Sequence, residues 1–485
     1  MADKDRLQHP GDYDLGDVLI AGSSGARINV TDQVREINIY QSIDSPFMSG
    51  NILIADSQGV AEILPFLGQE RMLFSLKTPG HIGTIDFNQY HAIIYNIEKR
   101  FSTSDREQTI LLNWTTLEHH RNLRTRISAS FEGNISEIIE QILTKKEYLN
   151  TKKPINIDPT FNIRKYVIPN LTPFEAIDLL REEAISEKEQ APHFLFYENP
   201  AGFHFRSLDN HIGQKKDLSV QHKNTYRSQP PEFNNPEKNL STILYWEIDD
   251  NSNTYSSTIF GMYASTLYYH DIFNKNIQKF EFDYIKDSFK KRNSTNQEYK
   301  GSGSNIAGTK LNDEKTITQF PESKIFVYPT ASDKLHSTSD GEVIGTDNNA
   351  EEWLQESQSR ELERDYYTLK IETYGDTNIM VGDLIEIIIP SNRPLDKSGG
   401  GEQMDPFLSG RYLITSLHHQ VTPTESTHYM VMTVMKDSVQ SAPAVKDLKY
   451  AREPKGKIQR GKVIGEKSLK MRTKRPETSN DGWSE

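Results

Sequence analysis

Hydrophobic positions fall at even spacing through the first part of the chain. Ile37, Ile39 and Ile43 form one set; Ile52 and Ile54, Met72 to Leu76, Ile93 to Ile97 and Ile110 to Trp114 form four more. A period of two places each set on one face of a strand. Ser45-Pro46, Ser49-Gly50-Asn51 and Thr78-Pro79-Gly80 separate them as turns. Short strands at this spacing predict an antiparallel barrel or sandwich over 17–118, and a closed barrel would remove exposed strand edges.

The period changes after Glu118. Ile135, Ile138, Ile139, Ile142 and Leu143 follow the i, i+3, i+4, i+7 pattern of one helical face, with Lys145 and Lys146 at its negative end. Thr172, Pro173 and Glu175 read as N-cap, N1 and N3 of a second helix, closed by a capping box. Aromatic strands then flank Asn199-Pro200-Ala201-Gly202 as a hairpin. Residues 119–212 therefore read as a small α/β domain. Strands return at Leu240–Ile248 and across Gly261–Tyr284. The stretch 290–348 is polar and turn-rich, with Gly301-Ser302-Gly303-Ser304, and reads as a loop-rich insertion. A helix capped by Asn348 or Asn349 follows, and then further strands at 367–371, 384–389, 412–416 and 429–433. Pro390 ends one of them, and 391–406 reads as a long hairpin loop. Together 213–289 and 349–437 predict a second β-domain. No repeat of about 20–50 residues is visible; only the similar strand number of the two β-domains hints at duplication.

The 485 residues are enough for three or four domains. The apolar fraction is low at 35 %, yet 10 % are aromatic, which fits several modest cores and not a disordered chain. Cysteine is absent, which removes disulfides, thiolate metal sites and cysteine nucleophiles and fits assembly in a reducing cytoplasm. The polar start, Met1 to Asp14, lacks the apolar core of a signal peptide, and no run approaches the roughly 18 apolar residues of a membrane span. Net charge is −12, unevenly placed. Residues 438–485 form a basic tail: Lys446 to Glu485 hold 12 basic and 6 acidic residues, leaving −18 on 1–445. Lys455, Lys457, Arg460, Lys462, Lys470, Arg472, Lys474 and Arg475 are its candidate docking residues. The tail fits a solvated arm, a segment that orders on an acidic partner, or a DNA contact; the acidic body beside it disfavours the last.

Candidate chemistry is sparse. No Gly-x-Ser-x-Gly elbow, Walker A loop or His-Glu-x-x-His occurs. His119-His120 and His418-His419 are adjacent pairs, which on a strand point to opposite faces and chelate nothing together; they read as surface or turn histidines. Glu182-Glu183 and Glu351-Glu352 lie on predicted helices and face solvent; no carboxylate pair has an apolar setting that would raise one pKa for glycosidic chemistry. No catalytic, cofactor or metal site is expected.

Several stretches resemble a known family. GNILIADSQGVAEILPFLGQERMLFSLKTPG at 50–80 is similar to the first tube-like barrel of the central baseplate hub proteins of T4-like contractile-tailed phages, a family that includes the hub part of type VI secretion spike proteins. IPNLTPFEAIDLL at 168–180 with FLFYENPAGFHFRSL at 194–208 resembles its α/β insert. YGDTNIMVGDLIEIIIP at 374–390 with SGRYLITSLHH at 409–419 resembles its second barrel. The resemblance implies an α+β, predominantly β fold with two tube-protein-like antiparallel β-barrels. It implies a structural, non-enzymatic homotrimer in the virion's tail baseplate, adapting a hexameric tail tube to a trimeric central spike while tape measure and DNA pass. The implied partners are the spike protein, a tail tube or tube-initiator protein, the tape measure protein and baseplate wedge components, with no sequence-specific nucleic acid and no stable membrane association. No β-helix repeat follows residue 437, so the spike is expected on a separate chain. A carbohydrate- or receptor-binding module of a tail, and a peptidoglycan hydrolase, are the alternatives.

Overall fold

The computed structural model describes residues 6–22, 25–64, 66–104, 107–212, 223–229, 235–251, 253–272, 275–289, 310–312, 314–330, 335–337, 343–345, 350–364, 367–391, 404–405 and 407–438. Predominantly β, it has helices grouped in one α/β body and against one small sheet. The period-two segments form the strands Val34–Ser42, Ser49–Asp56, Ala92–Ser104 and Glu107–Thr116. Ile37, Ile52, Ile110 and Trp114 point into one core.

The motif residues of 50–80 have local physical reasons. A Cβ on Gly50 would lie 2.1 Å from the Asn38 carbonyl and 2.4 Å from the Trp114 ring, so only glycine lets the tryptophan cross the neighbouring strand. Asp56 accepts the backbone N–H groups of Gln58, Val60 and Ala61 at 3.1, 2.9 and 3.0 Å, which turns the chain sharply after its strand. Buried Glu70 accepts those of Leu67, Gly68 and Gln69 at 2.7, 3.0 and 3.1 Å. Each carboxylate replaces the water that its turn's N–H groups would otherwise need.

The second β region repeats this plan. Across the sheet the first half runs 34–42, 49–56, 107–116, 92–104, 71–73; the second runs 243–251, 367–374, 427–435, 410–422, 384–388. Corresponding strands have nearly equal lengths, with 13 residues in both Ala92–Ser104 and Gly410–Thr422 and 9 in both Val34–Ser42 and Ile243–Asn251. Two of their irregularities also match: pairing skips a residue between Val34 and Glu36 and between Ile243 and Tyr245, and again opposite Asn113/Trp114 and between Ile414 and Ser416, while the shifts at Leu111/Leu112 and Ile248/Asp250 belong to one half each. Aligned on these bulges, Ile39 corresponds to Ile248, Gly50 to Leu369, Trp114 to Val434 and Arg100 to His419.

The halves join edge to edge. Strand Gly410–Thr422 pairs antiparallel with Val34–Ser42, from Ser416↔Ser42 to Val421↔Ile37, making one 13-stranded sheet. This corrects the expectation of two closed barrels: among the described residues the strand order runs from 243–251 to 27–29 without closing. One edge strand of each half, 34–42 in the first and 410–422 in the second, is satisfied by the other half instead. Each half keeps its own core, one around Trp114 and one around Ile371, Ile385, Leu413 and Met432.

Between them in sequence lies the α/β body. Strands Ile127–Asn134 and Ile163–Leu171 pair antiparallel, and helices Ile135–Thr144 and Pro173–Glu182 lay Ile138, Ile142, Ile177 and Leu180 over a shared core with the Phe194–Asn199/Gly202–Ser207 hairpin. The Thr172 capping box forms as its residues predict. Ala264–Asp271 and Asn276–Asp283 are strands, but they pair with each other and with Ile325–Thr330 in a separate three-stranded sheet. That sheet packs on helix Ala350–Arg364, with Trp353 against Tyr328 and Gln355 bonded to Ser265. The caps expected at Asn348 or Asn349 lie outside the described residues.

Candidate functional site

The sequence offers one candidate site, the basic tail, and reads the histidine pairs as surface or turn residues. The tail residues Lys455, Lys457, Arg460, Lys462, Lys470, Arg472, Lys474 and Arg475 lie outside the described residues.

His120 is exposed on the helix, as a surface residue, whereas His119, His418 and His419 are packed into the structure. His119 lies on the helix Leu117–Arg124 and stacks on Phe47, ring centroids 3.7 Å apart. His418 and His419 do point to opposite faces of one strand. His418 stacks on Tyr40 and meets Asn38 Oδ1 at 2.7 Å. His419 is fully buried and shares a 3.1 Å hydrogen bond with buried His428. Burial holds His419 well below the usual imidazole range and His428 down to about 3, so the pair is neutral. Glu183, expected in solvent, pairs with Arg164 at 3.1 Å. Among the described residues no group of three or more His, Asp or Glu could hold a metal ion, and no helix is long and apolar enough to cross a membrane.

What the chain does build is joints. At the seam between the halves, Thr78 N–H donates to Thr377 Oγ1 at 2.9 Å and Thr377 N–H to Thr78 Oγ1 at 3.0 Å. Beside them His81 Nδ1 meets the Asp376 carboxylate at 2.7 Å, and that bond raises the His81 pKa. The turn TPG at 78–80 and the run YGDTN at 374–378 are therefore partners, which their separation in sequence hid.

Buried charge ties the α/β body to the first half and to helix Ala350–Arg364, and a neutral bond ties it to the second half. Lys153 sits between Glu198, in short contact, and Glu118 at 2.8 Å. Glu198 also accepts from Thr116 Oγ1 at 2.8 Å and Met48 N–H at 3.2 Å. Burial alone would lower the Lys153 pKa; the two carboxylates more than reverse this and hold the ammonium charged. On the other side Arg360, 1 % exposed, holds Asp209 at 2.7 Å and Glu363 at 3.1 Å, and Tyr284 donates to Glu363 at 2.5 Å. Asn199 Nδ2 donates to the Val381 carbonyl at 3.1 Å. These lysine, arginine and glutamate positions carry no motif, so sequence reading passed over them.

The open surfaces are strand edges and one sheet face. Strand Ala92–Ser104 outlasts its inner neighbour Arg71–Leu73, which pairs only as far as Ile93; beyond it Tyr95 and Phe101 are 52 % and 54 % exposed. At the far end of the sheet Ile243–Asn251 pairs on one side only among the described residues, leaving Leu244, Tyr245 and Ile248 exposed. The three-stranded sheet turns Ile277, Ile325 and Val327 to solvent.

No family model matches the chain, and no curated protein does. Solved structures match it over most of its length. A tail protein from Neisseria meningitidis MC58 superposes with TM-score 0.50 at 11 % identity, covering 88 % of this chain and 97 % of that one. The 43 kDa tail protein of prophage MuSo2 from Shewanella oneidensis gives 0.45 at 10 % identity, covering 87 % and 98 %. An E. coli component of the type VI secretion system, described as structurally similar to T4 tail proteins gp27 and gp5, gives 0.38 at 11 % identity, covering 85 % and 76 %. The class that the fold defines is the tail-protein fold. In particular, the chain shares the fold of the Neisseria tail protein over 88 % of its length.

Proposed function

We propose that the chain is a structural subunit of a contractile phage tail, acting as the baseplate hub in the virion. The observation that carries this is the repeated half-sheet: one chain supplies two equivalent β units joined edge to edge. Three such chains would present six equivalent units to a hexameric tube and three identical faces to a trimeric spike. That is the geometry a symmetry adaptor requires. The tail-protein fold supports the same reading, and the buried joints suit it, since a ring that transmits load needs its units held in one frame.

In this reading the homotrimer meets the spike protein, a tube or tube-initiator protein, tape measure protein and wedge components, and no chemistry is performed. The basic tail, Lys455 to Arg475 in particular, docks on an acidic neighbour; truncation after Val445 then weakens assembly with that neighbour, and unchanged assembly rejects the docking. Light scattering on the full chain tests the hub. A mass of three chains is expected, and a single-chain mass at every concentration overturns it.

A further inference from the structure

The ion group around Lys153 holds more than charge balance requires. Nζ is in short contact with Glu198 Oε1 and 2.8 Å from Glu118 Oε2, and all three side chains are 5 % exposed or less. One lysine and two carboxylates leave a surplus negative charge away from water. Burial raises the Glu198 pKa, and a proton on Glu198 removes that surplus. The neutral arrangement is an ammonium on Lys153, a carboxylate on Glu118 and a carboxylic acid on Glu198. The remaining groups stand around that acid as acyl transfer needs them. Glu198 Oε2 accepts from Thr116 Oγ1 at 2.8 Å and from Met48 N–H at 3.2 Å, two donors aimed at one oxygen from the first half of the sheet. Thr151 Oγ1 occupies Glu118 Oε1 at 3.0 Å, whereas buried Oε2 has Nζ at 2.8 Å and takes a hydrogen bond from no other donor among the described residues. The rings of Tyr90 and Phe203 lie 5.8 and 5.9 Å from Nζ. A cavity of about 20 Å³ lined by Met48, Tyr90, Lys153 and Asn199 has room for one water.

We propose that Lys153 and Glu198 condense to an isopeptide bond that closes residues 153–198 into a covalent loop, with Glu118 as the catalytic base. Glu118 Oε2 takes a proton from the Lys153 ammonium. The freed amine attacks the Glu198 carboxyl carbon and the Nζ–Cδ bond forms. The negative charge that develops on Oε2 is held by Thr116 Oγ1 and Met48 N–H. Glu118 then gives its proton to the Oε1 hydroxyl and takes one from Nζ. The Cδ–Oε1 bond breaks, Oε1 leaves as water into the neighbouring cavity, and Glu118 ends as a carboxylic acid. Nothing is oxidised or reduced, and no co-reactant enters. Because the reacting groups are held in contact, the amine needs no activated acyl donor to find its carboxyl. The reactants belong to the α/β body and the oxyanion donors to the first half of the sheet, so the bond forms only once the two have docked. It does not depend on the hub reading.

The mass of the full chain, measured after denaturation, reads the reaction. A chain lighter than its sequence by one water is expected, and digestion should give a branched peptide that joins the segments holding Lys153 and Glu198. Lys153→Arg keeps a cation without an attacking amine, and Glu118→Gln keeps a hydrogen-bonding isostere without a base. Both are expected at full sequence mass, with circular dichroism showing that they fold. Thr116→Val removes one oxyanion donor and should slow the loss of water roughly 100-fold. A parent that keeps its full mass after long incubation at neutral pH overturns the bond and leaves Lys153 as the cation of an ion group. A water loss that persists in Lys153→Arg, or that maps to other residues, overturns it as well. If neither variant folds, the branched peptide of the parent decides alone: its presence establishes the bond and its absence rejects it.

Discussion

The two halves of the large sheet solve one packing problem in two ways. In the first half Trp114 crosses Gly50, with Phe74 and Phe87 edge-on to its ring at centroid distances of 5.9 and 5.0 Å. In the second half the same two positions are Leu369 and Val434, both buried, and the volume is shared between neighbours. Strand order, near-equal lengths and two of the bulges are shared while core residues differ, because a core tolerates different fillings of one volume better than a sheet tolerates a shifted register. Concentrating volume in one ring makes the first half the more fragile. Trp114→Ala is expected to cost about 4–5 kcal/mol in urea unfolding, and Val434→Ala about 2 kcal/mol. Equal costs would remove the asymmetry.

The joints differ in the same spirit. The halves meet through backbone pairing reinforced by neutral side-chain bonds and one partly exposed His81–Asp376 pair, while the α/β body is fixed by buried charge. Replacing one partner of a buried ion group strands the rest. Lys153→Met leaves Glu118 and Glu198 facing each other without a cation and should cost about 3–4 kcal/mol. Thr78→Val, at the seam between the halves, removes one hydroxyl acceptor and should cost about 1 kcal/mol. Unfolding midpoints of the two variants, measured together, show whether charge or backbone holds the frame.

Much of this frame was legible in the residues. Period two marked the long strands, and Thr172, Pro173 and Glu175 marked their helix start, because both signals are local. The duplication shows in the sequence only as a similar number of strands, since Gly50 with Trp114 and Leu369 with Val434 share no letter. The closed barrels were wrong because which edge meets which is decided by long-range pairing; no residue of 34–42 announces a partner some 380 positions away. The strands 264–283 were assigned to the wrong sheet for the same reason. Lys153, Glu118 and Arg360 were missed because a buried charge looks like any surface charge until its burial is known.

Acid should separate the halves. His428 is held at about 3 by burial, and His419 is lowered by burial and then by His428 and His418. Both would titrate near 6.5 in the unfolded chain. The folded pKa is depressed, so the stability is present above pH 6.5 and is lost as pH falls towards about 3, where the folded state also takes the proton. The first half has Gln108 at the place of His428 and makes no such contribution. His428→Gln should therefore remove about 2 kcal/mol of the stability difference between pH 7 and pH 5. Urea unfolding at the two pH values measures it, and an unchanged difference would mean that the pair is not the acid-sensitive element.

The smallest expected effect on stability compares one place in the two halves. Ile39 and Ile248 hold the same place in equivalent strands, one covered and one bare. Ile39→Asn buries an amide in an apolar seam and should cost about 3 kcal/mol or more. Ile248→Asn, measured at a dilution where copies are separate, should stay within about 0.5 kcal/mol of the parent. Equal costs at the two places would mean that the strand 243–251 holds Ile248 in a core as tightly as 34–42 holds Ile39, and the comparison between the halves would fail at this position.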